Sequence, residues 1–174
     1  MIKFREMKPD DLTHIARVNV DTFRATHQGI VPDRLMNDLS YETAEHRLER
    51  MLGKTGRDSA IFVADHDGSV VGYAMGGLAR EELTPFLGEL YGIYIVPAYH
   101  GKGIGRQLIA LVVKHLHTQG LHSMFVWVFS DNVPARRFYE ALGGHIVQQR
   151  TILLAEHEVS ETAYGWSTMD IVPG

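Results

Sequence analysis

Cysteine is absent from this 174-residue chain, which excludes disulfides, thiolate metal sites and a cysteine nucleophile. A chain without cysteine fits the reducing cytoplasm, which is the compartment we expect for it. Long apolar runs are also missing, and no stretch approaches the roughly 18 residues that a membrane-spanning helix requires. The opening residues, MIKFREMKPDD, lack the apolar core of a signal peptide. We therefore expect no membrane contact.

Charge of one sign is also missing in quantity. The chain has 17 basic and 21 acidic residues, a formal net charge of −4, and no long basic run, so we expect no nucleic-acid partner. Without cysteine or an H-E-x-x-H motif, we expect no metal site. The hydrophobic content of 45% and charged content of 22% are typical of a globular domain. Because repeats and low-complexity segments are absent, we expect residues 1–174 to form a single domain.

The hydrophobic pattern predicts a mixed α/β domain. The opening MIKFREM alternates as a strand does, and Pro9 with two following acidic residues suits a first helical turn. The segment AIFVADHDGSVVGYAM predicts a hairpin of strands 61–64 and 70–75 around an Asp67–Gly68 turn. The later segments predict a strand, a helix, a strand buried on both faces, a helix and two or three closing strands: GELYGIYIV, IGRQLIALVVKHL, SMFVWVFS, DNVPARRFYEALGG and HIVQQRTILLAEHEVSETAYGW.

The stretch VPAYHGKGIGRQL carries three glycines at alternate positions in front of a helix-like run. Glycine loops that open helices hold phosphates, because backbone N–H groups and the helix dipole both favour an anion. The spacing of Gly101, Gly103 and Gly105 does not fit the dinucleotide motif, and the loop lacks the hydroxyl residue of a nucleotide-triphosphate loop. A diphosphate held by backbone N–H groups, with Lys102 and Arg106 nearby, fits better. A tight strand-to-helix turn without a ligand is the alternative.

Together with a second segment, DNVPARRFYEALGG, this loop resembles the GNAT N-acetyltransferase superfamily. The family's pyrophosphate loop reads Q/R-x-x-G-x-G/A, and HGKGIG at residues 100–105 matches it except at His100. A role of His100 as catalytic base is the alternative, but the resemblance places this residue at the diphosphate end, far from the acetyl group. GELYGIYIVP resembles the family's central strand, and the similarity runs in order from IKFREM to AYGW. A second signature, N-x-x-A-x-x-F-Y-x-x-x-G, matches Asn132, Ala135, Phe138, Tyr139 and Gly143.

The resemblance implies a GNAT fold of the α/β (α+β) class, with a central mixed, largely antiparallel sheet flanked by helices. Its two central strands splay apart, and the co-substrate acetyl-CoA lies in the gap. Backbone groups near Tyr94, Ile95 and Val96 are then expected to pair with pantetheine amides, and an N–H of this stretch to polarise the thioester carbonyl. The other residues expected to bind acetyl-CoA follow the strand: His100, Gly101, Lys102, Gly103, Ile104, Gly105, Arg106, Asn132 and Tyr139.

The same resemblance implies catalytic roles for Tyr139 and Glu89. Tyr139 corresponds to the general acid that protonates the departing CoA thiolate, and mere packing on pantetheine is the alternative. Glu89 corresponds to a base that acts through a water, and a solvated glutamate at the start of the strand is the alternative. By strand alternation Glu89, Tyr91, Ile93 and Ile95 share one face, unless a bulge intervenes.

We expect an acetyl-CoA-dependent N-acetyltransferase that moves an acetyl group to a primary amine by direct attack in a ternary complex. The acceptor is a small molecule, an amino acid or a peptide, and Phe23, His27 and Tyr91 are candidates to line its pocket. Two alternatives stay open, a CoA-binding sensor of the same fold without turnover and an unrelated nucleotide-binding module. The family also contains dimers, so a homodimer is compatible with the resemblance. Charged candidates for the acceptor pocket have both signs: Arg24, Arg80, Glu81 and Glu82.

Overall fold

The chain folds into the mixture of strands and helices that the hydrophobic pattern predicts. The computed structural model describes residues 1–55 and 58–170, so residues 56, 57 and 171–174 of the predicted domain lie outside the described residues. Its strands are β1 (Ile2–Glu6), β2 (Ser59–His66), β3 (Ser69–Leu83), β4 (Phe86–Ile95), β5 (Met124–Phe129), β6 (His145–Leu154) and β7 (His157–Trp166). Its helices are α1 (Leu12–His27), α2 (Asp33–Asn37), α3 (Tyr41–Thr55), α4 (Ile104–Thr118) and α5 (Val133–Ala141). Not one of these five helices has the length and apolar character of a membrane span.

The seven described strands form one sheet in the order β1-β2-β3-β4-β5-β7-β6. Only β4 and β5 are parallel among these neighbours, which confirms the predicted mixed, largely antiparallel sheet. The β2–β3 hairpin turns at Asp67 and Gly68, whose φ angles of 52° and 91° are the left-handed values that such a turn requires. β3 continues past the predicted end at Met75 to Leu83, because its second half still pairs with β4.

Helices cover both faces of the sheet and divide the core into two clusters. On each covering helix the buried residues recur three and four positions apart, which gives the helix one apolar face. One cluster lies under α4 and includes Ile104, Leu108, Ile109, Val112, Val113 and Leu116. The other lies under α1 and α3 and includes Ile15, Ala16, Val20, Ala44 and Leu48.

The two central strands separate soon after they meet. β4 and β5 pair only at Gly88 with Met124 and at Glu89 with Phe125. A Cβ at Gly88 would lie 2.8 Å from the Ser123 carbonyl oxygen, so glycine permits the close approach at the base of the opening. Beyond this point the strands diverge, as the resemblance predicts, and leave the edge of β4 without a neighbouring strand.

A β-bulge interrupts β4 in the middle of the opening. Met75 of β3 faces Gly92, whereas the next residue, Gly76, faces Leu90, so Tyr91 is the extra residue. A Cβ at Gly76 would lie 2.9 Å from the Glu89 carbonyl oxygen, which shows how closely the backbones approach beside the bulge.

The bulge changes which side chains share a face. Tyr91 packs against the cluster under α1 and α3, whereas Ile93 and Ile95 pack against the cluster under α4. The alternation predicted for Glu89, Tyr91, Ile93 and Ile95 therefore ends at Tyr91. A bulge adds one residue to one strand and so reverses the facing of every side chain beyond it.

Candidate active site

Two cavities meet where β4 and β5 diverge. The first, of about 580 Å³, lies between the end of β4, the glycine loop and α5. The second, of about 490 Å³, lies between the splayed strands, the end of α1 and the β6–β7 side of the sheet. Ile93, Asn132, Ala135 and Tyr139 line both cavities. A ligand in one cavity can therefore reach a ligand in the other beside these four residues.

The glycine loop leads into the start of α4 and lines the first cavity. Gly101 and Gly103 have φ angles of 73° and 76°, a left-handed conformation that side chains disfavour. Gly103 is the N-cap residue of α4 and offers no side chain to its first-turn amides, which are therefore available to a ligand. Gly105 serves a different purpose, because a Cβ there would lie 2.8 Å from Cζ of Phe138. It lets α4 and α5 approach each other.

Side chains fix this loop and give it positive charge. His100 has its Nε2 atom 2.7 Å from the Ile95 carbonyl oxygen, so its ring ties the loop to the end of β4. The ring lines the first cavity and not the second. The Lys102 ammonium lies 4.8 Å from the centre of the Tyr99 ring, a cation–π contact, and Arg106 also lines the first cavity.

The open edge of β4 presents Ile93 and Ile95. The Val96 N–H donates to the Val71 carbonyl at 2.9 Å, so it is committed to β3. Hydrogen-bonded and non-hydrogen-bonded pairs alternate along an antiparallel ladder, so the backbone of Tyr94 bonds to Tyr73 of β3. The backbone groups of Ile93 and Ile95 therefore point toward the open edge of β4. Of residues 94–96, which are predicted to pair with pantetheine, Ile95 thus lies at the open edge together with Ile93, whereas Tyr94 and Val96 bond to β3. The position of Ile93 at this edge was not predictable, because the bulge has no sequence signal of its own.

Tyr139 lies on α5 with its ring buried at 5% exposure. No group of the described chain forms a hydrogen bond with its hydroxyl, and the residue lines both cavities. Burial, with Tyr94 as a neighbour, raises the pKa of this phenol well above its ordinary value of 10. Tyr139 is therefore protonated at neutral pH. Nearby, the Asn132 side chain accepts a hydrogen bond from the Ala135 N–H at 3.3 Å and caps α5.

Glu89 lies in the second cavity and is only 1% exposed, so it is not a solvated residue at the start of a strand. Arg80, near the end of β3, donates hydrogen bonds to the Glu89 carboxylate from both its side chain and its backbone. The Arg80 guanidinium donates to Oε1 at 2.7 Å and to Oε2 at 3.3 Å, and the Arg80 backbone N–H donates to Oε2 at 2.9 Å. The guanidinium also lies 4.4 Å from the centre of the Tyr91 ring. Both carboxylate oxygens of Glu89 are engaged.

A second arginine lies at the far end of this cavity. Arg150 donates to Glu161 at 2.7 Å and to both oxygens of Glu81 at 2.9 Å, and it stacks on Trp127 at 3.7 Å from the ring centre. These contacts join β3 to β6 and β7 across the mouth of the cavity. No sequence motif marks Arg150, Glu161 or Trp127, because the sheet order alone brings them together.

Of the residues suggested for the acceptor pocket, most line the second cavity: Phe23, His27, Arg80, Glu81 and Tyr91. Arg24 does not, since its guanidinium donates to the Leu39 carbonyl, and Glu82 instead accepts from the Thr84 hydroxyl. Within residues 1–55 and 58–170 there is no group of three or more histidine, aspartate or glutamate side chains that could hold a metal ion.

Comparisons with known proteins agree with this arrangement. The acetyltransferase (GNAT) family model matches residues 23–144. The chain is 36% identical over 167 residues to the uncharacterized N-acetyltransferase YuaI of Bacillus subtilis, with 95% of this chain and 93% of that protein covered.

Solved structures show the same fold. The PaiA N-acetyltransferase of Thermoplasma acidophilum, solved in complex with coenzyme A, aligns with a TM-score of 0.73 at 19% identity, over 92% of this chain and 98% of that one. The putative acetyltransferase YncA of Salmonella typhimurium, solved with acetyl-CoA, aligns with a TM-score of 0.72 at 20% identity, over 97% of this chain and 94% of that one. The predicted fold is confirmed, and the chain belongs to the acetyltransferase (GNAT) family of N-acetyltransferases.

Proposed function

We propose that this protein transfers the acetyl group of acetyl-CoA to the primary amine of a small molecule, an amino acid or a peptide. The observation that carries the proposal is the meeting of two cavities at Tyr139 and Ile93, one beside an anion-binding loop and one lined by paired charges and aromatic rings. Two structures with the same fold were solved with coenzyme A or acetyl-CoA, which supports the assignment of the donor. We place the enzyme in the cytoplasm, in line with the absence of cysteine.

The first cavity suits the donor. The uncapped amides at the start of α4, which belong to Ile104, Gly105 and Arg106, would bind the diphosphate, with Lys102 adding positive charge. The open edge of β4 at Ile93 and Ile95 would pair with the pantetheine amides in the manner of an added strand. Both features suit a ligand with a diphosphate at one end and amides in its middle, and CoA has both.

The reaction would take place where the cavities meet. The acceptor nitrogen attacks the thioester carbonyl carbon, and the Ile93 N–H, which points into the opening, would stabilise the negative charge on the carbonyl oxygen. When the C–S bond breaks, Tyr139 would donate its proton to the thiolate, since burial keeps the phenol protonated at neutral pH. Glu89, acting through a water, is the predicted base, but both of its oxygens already accept hydrogen bonds from Arg80.

The experiment is to measure thiol release from acetyl-CoA with a chromogenic disulfide reagent over a panel of amines, amino acids and short peptides. The chain has no cysteine and so adds no thiol signal of its own. We expect at least one acceptor class to raise the rate well above hydrolysis, which also identifies the acceptor. If the whole panel is inactive while calorimetry shows acetyl-CoA binding, either the acceptor lies outside the panel or the protein is a sensor without turnover. If acetyl-CoA does not bind, the proposal fails entirely.

A further inference from the structure

His27, the last residue of α1, holds its imidazole in a fixed position in the second cavity. The ring stacks on Phe23 at 4.1 Å between centres and meets the Phe129 ring edge-on at 5.2 Å. The His27 carbonyl accepts hydrogen bonds from the amides of Ile30 and Val31, which anchors the backbone as well. The residue is 8% exposed and lines the cavity that Glu89 and Tyr139 also line.

The hydrogen bonds of the ring determine its tautomer. Nδ1 lies 3.2 Å from the Phe23 carbonyl oxygen, which can only accept, so Nδ1 carries a hydrogen. The Thr26 hydroxyl, 2.9 Å from Nδ1, donates its own hydrogen to the Thr22 carbonyl at 2.8 Å and therefore also accepts from the ring. In the neutral ring the lone pair is then on Nε2. Nε2 forms no hydrogen bond within the described part of the chain, so it is available to a molecule in the cavity.

The surroundings keep this ring neutral. Burial lowers the pKa of His27 below its ordinary value of 6.5, although the bond to the Phe23 carbonyl opposes the change. The charged groups that line the cavity are paired with each other: Arg80 with Glu89, and Arg150 with Glu81 and Glu161. No free carboxylate among these cavity residues therefore stabilises an imidazolium.

The other titratable groups that face the cavity are phenols from β4 and α5. Burial raises the pKa of Tyr91 to about 12, and it also raises the pKa values of Tyr94 and Tyr139. All three are neutral at pH 7 and supply protons instead of accepting them. Among the groups of this cavity, His27 offers an unengaged lone pair in a neutral state, whereas Glu89 has both oxygens bonded to Arg80.

We propose that His27 is the catalytic base that removes the proton from the acceptor ammonium. The inference rests on the proposed acetyl transfer. The Nε2 lone pair of His27 takes one proton from the R-NH3⁺ group, and the resulting amine adds to the thioester carbonyl. As the C–S bond breaks, the Tyr139 hydroxyl protonates the thiolate, and the proton still carried by the nitrogen returns to the Tyr139 oxygen. The imidazolium then releases its proton to water, so the products are the amide, CoA thiol and one proton.

The test compares His27→Asn with Glu89→Gln, using an acceptor found in the panel. The asparagine amide N–H₂ takes the place of Nδ1 and can still donate to the Phe23 carbonyl, so the variant loses Nε2 while keeping the helix contact. We expect His27→Asn to lower kcat by about 10²–10⁴-fold, the range of general-base catalysis, with unchanged acetyl-CoA affinity. His14→Gln, an exposed change on the same helix, is the matched control and should keep full activity.

The pH profile of kcat/KM separates a base from a structural residue. With a neutral His27 the natural enzyme should be flat from pH 7 to 8 and fall on the acid side below about 6.5, where the ring takes up a proton. Without this base the reaction needs free amine, so His27→Asn should rise about tenfold per pH unit across the same interval. If His27→Asn keeps the plateau between pH 7 and 8 and Glu89→Gln loses it, then Glu89 is the base and the inference about His27 is overturned.

A second measurement does not depend on turnover. In the unliganded protein, long-range ¹H–¹⁵N spectra at pH 7 should show His27 with a protonated Nδ1 and an unprotonated Nε2. The opposite tautomer, or an imidazolium at pH 7, refutes the inference even when acetyl transfer is confirmed. Because these spectra need no acceptor, the wrong tautomer counts against His27 alone, whereas an inactive panel counts against the proposed function on which the inference rests.

Discussion

Replacing Arg80 by methionine tests whether Glu89 is a buried charge that depends on its partner. The Glu89 side chain is 2% exposed and the Arg80 side chain 44% exposed. Methionine keeps an apolar stem over the Tyr91 ring but removes the guanidinium, which supplies two of the three hydrogen bonds to the carboxylate. The backbone N–H of residue 80 still donates to Glu89, so the buried carboxylate keeps one donor and loses its counter-charge.

The size of the effect follows from this arrangement. Removing one partner of a buried ion pair destabilises a protein by about 3–5 kcal/mol. We expect the lower end, about 3 kcal/mol, because Arg80 is partly exposed and one donor remains. Glu89→Gln leaves a guanidinium that can reach water, and we expect about 1 kcal/mol for it. In a chain of this length, about 3 kcal/mol lowers Tm by about 6–12 °C.

Urea unfolding, followed by tryptophan fluorescence and circular dichroism, measures these differences. Arg34→Met removes an arginine from an exposed position on α2 and is the control, with an expected change within about 0.5 kcal/mol. The double variant Arg80→Met/Glu89→Gln should be more stable than Arg80→Met alone, because the unpaired charge is gone. The reasoning is refuted if Arg80→Met costs no more than Glu89→Gln.

Three further changes test other parts of the molecule. Tyr139→Phe should lower kcat by about 10²–10⁴-fold in the thiol-release assay without changing acetyl-CoA affinity, and equal turnover would contradict the acid role. Gly105→Ala places a methyl group 2.8 Å from Phe138 Cζ and should cost about 1–3 kcal/mol in urea unfolding. Phe138→Leu should recover part of that loss, and a loss unaffected by it would point elsewhere. The hydrogen bond from Arg5 holds the pKa of Asp11 below its ordinary value of 3.8. The ionised Asp11 therefore stabilises the fold fully above pH 3.8, and this stabilisation is lost as the pH falls through the lower pKa of the folded state. The difference in urea midpoint between the natural protein and Asp11→Asn should therefore be widest at neutral pH and vanish in strong acid, and a gap independent of pH would contradict this account.

The glycine loop at the first cavity was predictable from the sequence because it is built from local backbone geometry. Left-handed glycines at 101 and 103, and the helix that follows them, depend on neighbours a few residues away, and the glycine pattern records that requirement. The splay of β4 and β5 came from the resemblance, and the structure confirms it. The role of Gly105 as a packing glycine was not visible, because Phe138 comes from another helix.

The second cavity was less predictable because its contacts join distant parts of the chain. Arg150 and Glu81 are 69 positions apart, and only the sheet order makes them neighbours. The pairing of Arg80 with Glu89 depends on β3 extending to Leu83, beyond the hydrophobic segment that predicted a strand. The sequence places Glu89 at the right strand, but whether its carboxylate is free depends on a partner that no local pattern specifies.

The bulge at Tyr91 explains how one strand serves both cavities. Before it, the side chains of Glu89 and Tyr91 line the second cavity and are absent from the first. After it, Ile95 lines the first cavity and Ile93 lies where the two meet. In a regular strand these four side chains would share one face, since alternate residues point the same way. One inserted residue thus turns the second half of β4 toward the first cavity while the first half faces the second, and the junction falls where the acetyl group would pass in the proposed reaction.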